Sequence, residues 1–292
     1  MKRILSCLNV LLLLICLGSC GPRDSARIAA TTLPVYEFTT RLCAGTDLTV
    51  ARLVTESVSC LHDYSLNVFQ VRAIEEAELI VINGVELESF MEDLLTDRPV
   101  IDSSVGITIK ECHDEPEHQD EHDHHHHDVD NHIWLSVKNA MIMAQNICDG
   151  LTQHYPGYSD VFRANLTALL KDMEDLQLYG QDQLSDLTNR ELITFHDGFS
   201  YLAESYDLHI LEAVEEESGS EASAAELKHL IKLVRSHQLP AIFTEVHGSG
   251  SAASIIARET GIPSYPLDMA MSGNSWFDAM YHNIDTLKEA LG

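Results

Sequence analysis

Between Ser159 and about Leu187 the sequence carries one long helical pattern, in which Val161, Leu166, Leu169, Leu170, Met173, Leu176 and Leu184 recur at three- and four-residue spacing. The stretch has no proline, and Gly180 is its only glycine. At about 1.5 Å per residue such a helix is roughly 40 Å long. One small domain does not require that length; a helix running along two lobes and joining them does.

Strands and helices alternate on both sides of it. On the N-terminal side, β-rich runs at Arg27–Thr32, Leu48–Val54, Leu79–Asn83 and Val100–Asp102 are separated by helical patterns at Pro34–Cys43, Asn67–Glu76 and Val85–Leu95. Ser136 caps a further helix to His154. On the C-terminal side, strands at Glu191–Phe195, His209–Val214, Ala241–Thr244 and Ser264–Leu267 alternate with helices at Phe199–Ser205, Ser223–His237, Ser249–Thr260 and Ser275–Leu291. The order of elements repeats, which predicts an α/β protein of two similar βα lobes with mainly parallel sheets joined by one long backbone helix. The expected boundaries are 27–156 for the N-terminal lobe, 157–189 for the linking helix and 190–292 for the C-terminal lobe. Ligands of such sheets bind beyond the carboxyl ends of the strands, here in the cleft between lobes.

Residues 1–19 read as an export signal. Lys2 and Arg3 are followed by the apolar run Leu8–Leu17, which is too short to span a bilayer. Leu17-Gly18-Ser19-Cys20 resembles a bacterial lipobox, which implies cleavage before Cys20 and a lipid on its sulfur. Residues 20–26 then form a tether, and the mature chain is exported to the periplasm or cell surface and anchored to a membrane. Cys43, Cys60, Cys112 and Cys148 show no C-x-x-C spacing, so neither a zinc knuckle nor a thioredoxin-type site is indicated.

Eight of the 16 histidines fall between His113 and His132, interleaved with acids. The run offers too few apolar groups to offset the entropy of ordering it in a core. Imidazole and carboxylate are the ligands that Zn²⁺ and its neighbours prefer. The loop 113–130 therefore reads as an auxiliary metal-collecting segment through His113, His118, His122, His124, His125, His126 and His127. His132 stands apart, because Ile133-Trp134-Leu135 returns the chain to folded structure. A formal charge of −28 excludes a nucleic-acid partner and suits a protein that collects cations.

Polar residues just beyond strand ends make a short set: His62, His132, His196 with Asp197 and Gly198, Glu245, and Asp268. Three imidazoles and a carboxylate suffice for tetrahedral zinc. The segments Cys60-Leu61-His62-Asp63-Tyr64, Asp130-Asn131-His132-Ile133-Trp134-Leu135 and Phe195-His196-Asp197-Gly198-Phe199-Ser200-Tyr201, with Gly219–Leu227, Phe243-Thr244-Glu245 and Leu267-Asp268, resemble the zinc/manganese solute-binding proteins of ABC transporters, the ZnuA-like cluster A-I group. The resemblance covers nearly the whole mature chain. It implies that His62, His132, His196 and Asp268 hold one Zn²⁺, with Mn²⁺ also possible. It further implies an extracytoplasmic, monomeric receptor that passes the ion to an ABC permease. A zinc-dependent hydrolase is the alternative from another class, with Glu245 as its general base; the sequence has no H-E-x-x-H, and four protein ligands leave no position for an activated water. A manganese receptor or adhesin of the same fold is the alternative within the class.

Overall fold

The computed structural model describes residues 26–57, 61, 64–111, 129–214, 222–248 and 250–292. The N-terminal lobe is built on β1 (Ile28–Ala30), β2 (Val50–Arg52), β3 (Leu79–Ile82) and β4 (Val100–Asp102), all parallel in the order β2-β1-β3-β4. Ile28 pairs with both Val50 and Leu79, and Val81 pairs with Ile101. The two central strands read IAA and LIVI with hardly a polar atom, as befits strands covered on both faces. Helices α1 (Leu33–Leu42), α2 (Val68–Glu76), the short α3 (Glu92–Leu95) and α4 (Val137–His154) cross between and over them. A capping box starts α2: Asn67 Oδ1 accepts the amides of Phe69 and Gln70, and Gln70 Oε1 accepts that of Asn67.

Two residues at each end of the His-rich stretch pair outside the main sheets. Strand β5 (Lys110–Glu111) runs antiparallel to β6 (Val129–Asp130), with Lys110 opposite Asp130. Val129 and Asp130, expected as the end of the loop, thus form a strand. The C-terminal lobe repeats the parallel plan with β7 (Glu191–Thr194), β8 (His209–Ala213), β9 (Ile242–Glu245) and β10 (Ser264–Leu267) in the order β10-β9-β7-β8. Its helices are α6 (Ser200–Ser205), α7 (Ala224–His237), α8 (Ser251–Thr260) and α9 (Trp276–Leu291). No helix among the described residues is long and apolar enough to cross a membrane. Cys43 and Cys148 are free thiols in the core, and Cys60 and Cys112 lie outside the described residues.

The expected long helix is α5, Ser159–Gln183. It stops four residues short of Leu187, and Leu184 and Leu187 are buried just beyond its end. Its inner face is Phe162, Leu166, Leu169, Met173, Leu176, Gln177 and Gly180, so Phe162 takes the place expected for Val161. The first half grips the N-terminal lobe: Asn165 Nδ2 donates to the carbonyls of Leu42 and Ala44 at 2.8 and 2.9 Å, and Asp172 pairs with Arg41. The second half lies on the C-terminal lobe, where Tyr179 donates to Asp285 of α9. One apolar cluster runs from Ile28 and Phe38 through Leu169 and Met173 to Phe243 and Trp276, so the lobes share a core.

Val85–Leu95, expected as one helix, is instead a strained turn followed by a 3-10 turn (Ser89–Met91) and α3. Gly84, Val85 and Glu86 are all left-handed, with φ of 91°, 54° and 60°. A β-branched residue in that region is strained, and it persists because its surroundings hold it there. The holder is the buried Glu88. Its Oε1 accepts from Thr31 Oγ1 at 2.6 Å and from the Asn83 amide at 2.7 Å, and its Oε2 accepts from the Gly84 amide at 3.1 Å. This ties together the carboxyl ends of β1 and β3. Asn83 Nδ2 in turn donates to the Asn131 carbonyl, next to His132.

Two predictions follow from these contacts. A β-carbon on Gly180 would stand 2.4–2.5 Å from Tyr206 ring and hydroxyl atoms. Gly180→Ala should therefore lose about 1–2 kcal/mol in urea unfolding, since overpacking outweighs the ~1 kcal/mol gain in helix propensity. Burial pushes the Glu88 carboxyl up to about 7, against the opposing bonds from Thr31, Asn83 and Gly84. A carboxyl raised in the folded state contributes stability that is full below its unfolded value and is lost as pH rises through 7. Between pH 4.5 and 7.5 the unfolding free energy of Glu88→Gln should thus gain about 3 kcal/mol on that of the parent protein.

Candidate metal centre

Each lobe delivers one histidine to the cleft from the carboxyl end of its own framework. His196 follows β7, whose Thr194 pairs with Phe243 of β9. Thr194 Oγ1 donates to the His196 carbonyl at 3.0 Å and fixes the turn. His132 follows β6. Asp130 Oδ1 accepts both the His132 amide and His132 Nδ1, each at 2.9 Å, so one carboxylate sets backbone and ring together. Asp130 is itself held, as Tyr201 Oη donates to its carbonyl at 3.1 Å and accepts from the Lys110 amide at 3.0 Å. Ile133, Trp134 and Leu135 then form a fully buried 3-10 turn that anchors the segment in the core.

The two rings meet edge to face, with centroids 5.1 Å apart and planes at 88°. Their Nε2 atoms are 3.3 Å apart. Behind each ring stands a buried carboxylate: Asp130 Oδ1 at His132 Nδ1, and Glu245 Oε1 at 3.2 Å from His196 Nδ1. The Asp130 acceptor places the His132 proton on Nδ1 and leaves its Nε2 lone pair facing His196 Nε2, while Glu245 stands at ion-pair distance behind the second ring. Two nitrogens bound to one tetrahedral ion at about 2.0–2.1 Å stand roughly 3.3–3.4 Å apart. The observed spacing matches, so the donor pair fits a tetrahedral cation such as Zn²⁺.

Gly198 forms the wall beside this pair. A β-carbon there would lie 2.7 Å from His196 Cδ2, 2.7 Å from Met269 Cε and 3.0 Å from His132 Cε1. Asp268 follows β10, where Leu267 pairs with Glu245 of β9. Its backbone is clamped by the buried Asn283, which accepts from the Asp268 amide and donates to its carbonyl, both at 2.7 Å. Asp268 Oδ1 accepts the Ala270 amide at 2.7 Å. Trp134 Nε1 donates to the Met269 carbonyl at 2.7 Å, linking the segment after His132 to the one after Asp268.

Of the four expected core residues, the structure brings His132 and His196 together and puts Asp268 at the carboxyl end of β10, separated from β7 by β9. Among the described residues no group of three His, Cys, Asp or Glu side chains is placed to hold an ion. His62 lies outside the described residues, between Leu61, which is buried, and Tyr64. His113, His118, His122, His124, His125, His126, His127 and Cys20 lie outside them as well. Sequence reasoning missed the roles of Asp130 and Gly198, and it offered Glu245 only as a general base. The one available signal was the D-x-H spacing of Asp130 and His132, which suits an aspartate capping its own turn.

Residues 28–290 match the family model described as zinc-uptake complex component A, periplasmic (ZnuA). The zinc-binding lipoprotein AdcA of Streptococcus pneumoniae is 28% identical over 310 residues, which cover 99% of this chain and 61% of that protein. The chain thus spans about three fifths of the length of this curated relative. A crystal structure of ZnuA superposes with a TM-score of 0.77 at 28% identity, over 91% of this chain and all of that one. The Zn(II)-bound ZnuA-like domain of Streptococcus pneumoniae AdcA shares the fold, with a TM-score of 0.76 at 23% identity over 92% and 99% of the two chains. With lobes, helix and histidine pair in place, and a family match over nearly all the described residues, the chain belongs to the ZnuA family of zinc-uptake components.

Proposed function

We propose that this chain is an extracytoplasmic receptor that binds Zn²⁺ in the cleft between its lobes and delivers it to an ABC importer. The observation that carries the reading is the pair of Nε2 atoms 3.3 Å apart, each ring backed by a buried carboxylate. His62 and Asp268 complete the shell in this reading. Three imidazoles and one carboxylate favour zinc over manganese, which prefers oxygen-rich six-coordinate sites. They also leave no position for an activated water, so the protein binds and releases without a chemical step. The neighbouring carboxylates support the same view, because Glu245 is engaged in orienting His196.

The remaining assignments belong to this proposal: a signal peptide over 1–19, a lipid on Cys20, a tether over 20–26, a monomeric lobe–helix–lobe body, and a permease as partner. The histidines of 113–127 act as auxiliary zinc collectors. Competition of the purified protein against a chromophoric chelator tests the core site. His132→Ala or His196→Ala should abolish tight zinc binding. Asp130→Asn should weaken it about 10- to 100-fold, the effect typical of losing a partner behind a ligand. Gly198→Ala should weaken it further by pushing the rings of His196 and His132 apart, and wild-type affinity in that variant would refute the placement of the ion.

Deleting residues 113–128 should lower the number of zinc ions bound per chain, counted by metal analysis, and leave one tight site. Loss of the tight site would mean that the deleted segment supplies core ligands.

A further inference from the structure

The segment that follows Asp268 is held less by its own lobe than by the other one. Trp134 Nε1 grips the Met269 carbonyl. Arg52, the last residue of β2, donates from Nη2 to the Met271 carbonyl at 3.3 Å and from Nη1 to the Gly273 carbonyl at 2.7 Å. Its Nε closes on the Val54 carbonyl at 2.6 Å, which locks the guanidinium to its own strand end. Glu37 of α1 accepts from Ser275 Oγ and from the Trp276 amide at the start of α9. Donors and acceptors of the N-terminal lobe therefore hold this strap at five atoms between Met269 and Trp276.

Arg52 is unusual among these contacts. A half-buried guanidinium normally faces a carboxylate, yet all three of its bonds go to carbonyls, and among the described residues no carboxylate stands at ion-pair distance. Burial lowers the Arg52 pKa, and the Tyr36 phenol and Glu56 oppose this only through space. What lies beside the fork explains the expenditure. Ala270 stands between the Met269 carbonyl held by Trp134 and the Met271 carbonyl held by Arg52, and its φ is 55°. A non-glycine residue keeps that conformation only where its neighbours impose it. In that conformation the Ala270 amide bonds to Asp268 Oδ1 at 2.7 Å.

We infer that Arg52 is a positioning residue for the metal site, holding the 271–273 part of the strap from the opposite lobe so that Ala270, just before it, stays left-handed and the Asp268 carboxylate keeps its orientation. The inference rests on the proposed role of Asp268 as a ligand. Arg52 touches no ligand directly and acts through two carbonyls and one amide. Because its contacts cross between lobes, breaking them frees the carboxylate and leaves His132 and His196 paired with their own carboxylates. Loss of the fork is thus a route for the ion to leave with one ligand released first.

The test uses the full exported chain loaded with Zn²⁺ or with Co²⁺, whose visible absorption reports the ligands and geometry of the site. Zinc dissociation is timed by capture with an excess of chelator. Arg52→Gln should speed release tenfold or more and change the Co²⁺ spectrum toward that of Asp268→Ala. Arg52→Lys keeps the charge but not the fork, and should resemble Arg52→Gln. In the Arg52→Gln, Asp268→Ala double variant, release should be no faster than in Asp268→Ala alone, because both changes act on one contact. Ala270→Gly in the Arg52→Gln background should restore much of the wild-type rate, since glycine adopts the left-handed conformation without strain.

Arg52→Gln with wild-type spectrum and release rate, beside an impaired Asp268→Ala, would overturn the inference, whatever happened to the melting temperature. Fully multiplicative effects in the double variant would also overturn it. Wild-type behaviour of Asp268→Ala itself would sink the ligand assignment instead.

Discussion

Two imidazole nitrogens from different lobes, 3.3 Å apart, set the tolerance to which the rest of the molecule is built. An error of an ångström between the lobes would separate the pair or drive the rings into each other. The fold meets this demand with a helix of 25 residues lying against both lobes and a single apolar cluster running beneath them. Close-packed interiors have two or a few discrete arrangements rather than a soft continuum. A body of this design therefore does not need a loose hinge between lobes, and its adjustable parts are local segments at the cleft.

Those segments share a device. At the N-terminal rim Glu88 holds three left-handed residues beside β3, and at the C-terminal rim Arg52 and Trp134 grip the carbonyls on either side of left-handed Ala270. In both places one ionisable side chain fixes several backbone groups in a conformation they would otherwise leave. The side chains at the cleft are thus aimed by backbone geometry, which is stiffer than a side chain choosing its own rotamer. Asp130 shows the same economy, since a single oxygen orients both the main chain and the ring of His132.

Much of this was legible in the sequence, and the limit has a physical reason. Periodicity reports which residues face a core, so the eight strands of the two main sheets, the long helix and the strand end bearing His196 could be read directly, whereas the strand before His132 could not. Contacts between a side chain and a distant backbone group leave no periodic trace. For that reason Val85–Leu95 passed for a helix: its apolar spacing is helical, and nothing local tells that Glu88 will reach back to the Asn83 and Gly84 amides. The same blindness hid Glu245 behind His196, a partnership made by strand order rather than by spacing. Gly198 stood in a quoted motif, but only coordinates reveal that it is small because two rings and a methionine occupy the space around it.

The antiparallel pair of β5 and β6 has a consequence for how such a protein can change over generations. Lys110 faces Asp130 and Glu111 faces Val129, so the chain leaves and re-enters the described body at one short clasp. The entropy of closing a connection grows only by about 0.6 kcal/mol for each doubling of its length. A longer or shorter connection between Glu111 and Val129 therefore costs folding little, while the clasp keeps Asp130, and through it His132, in register.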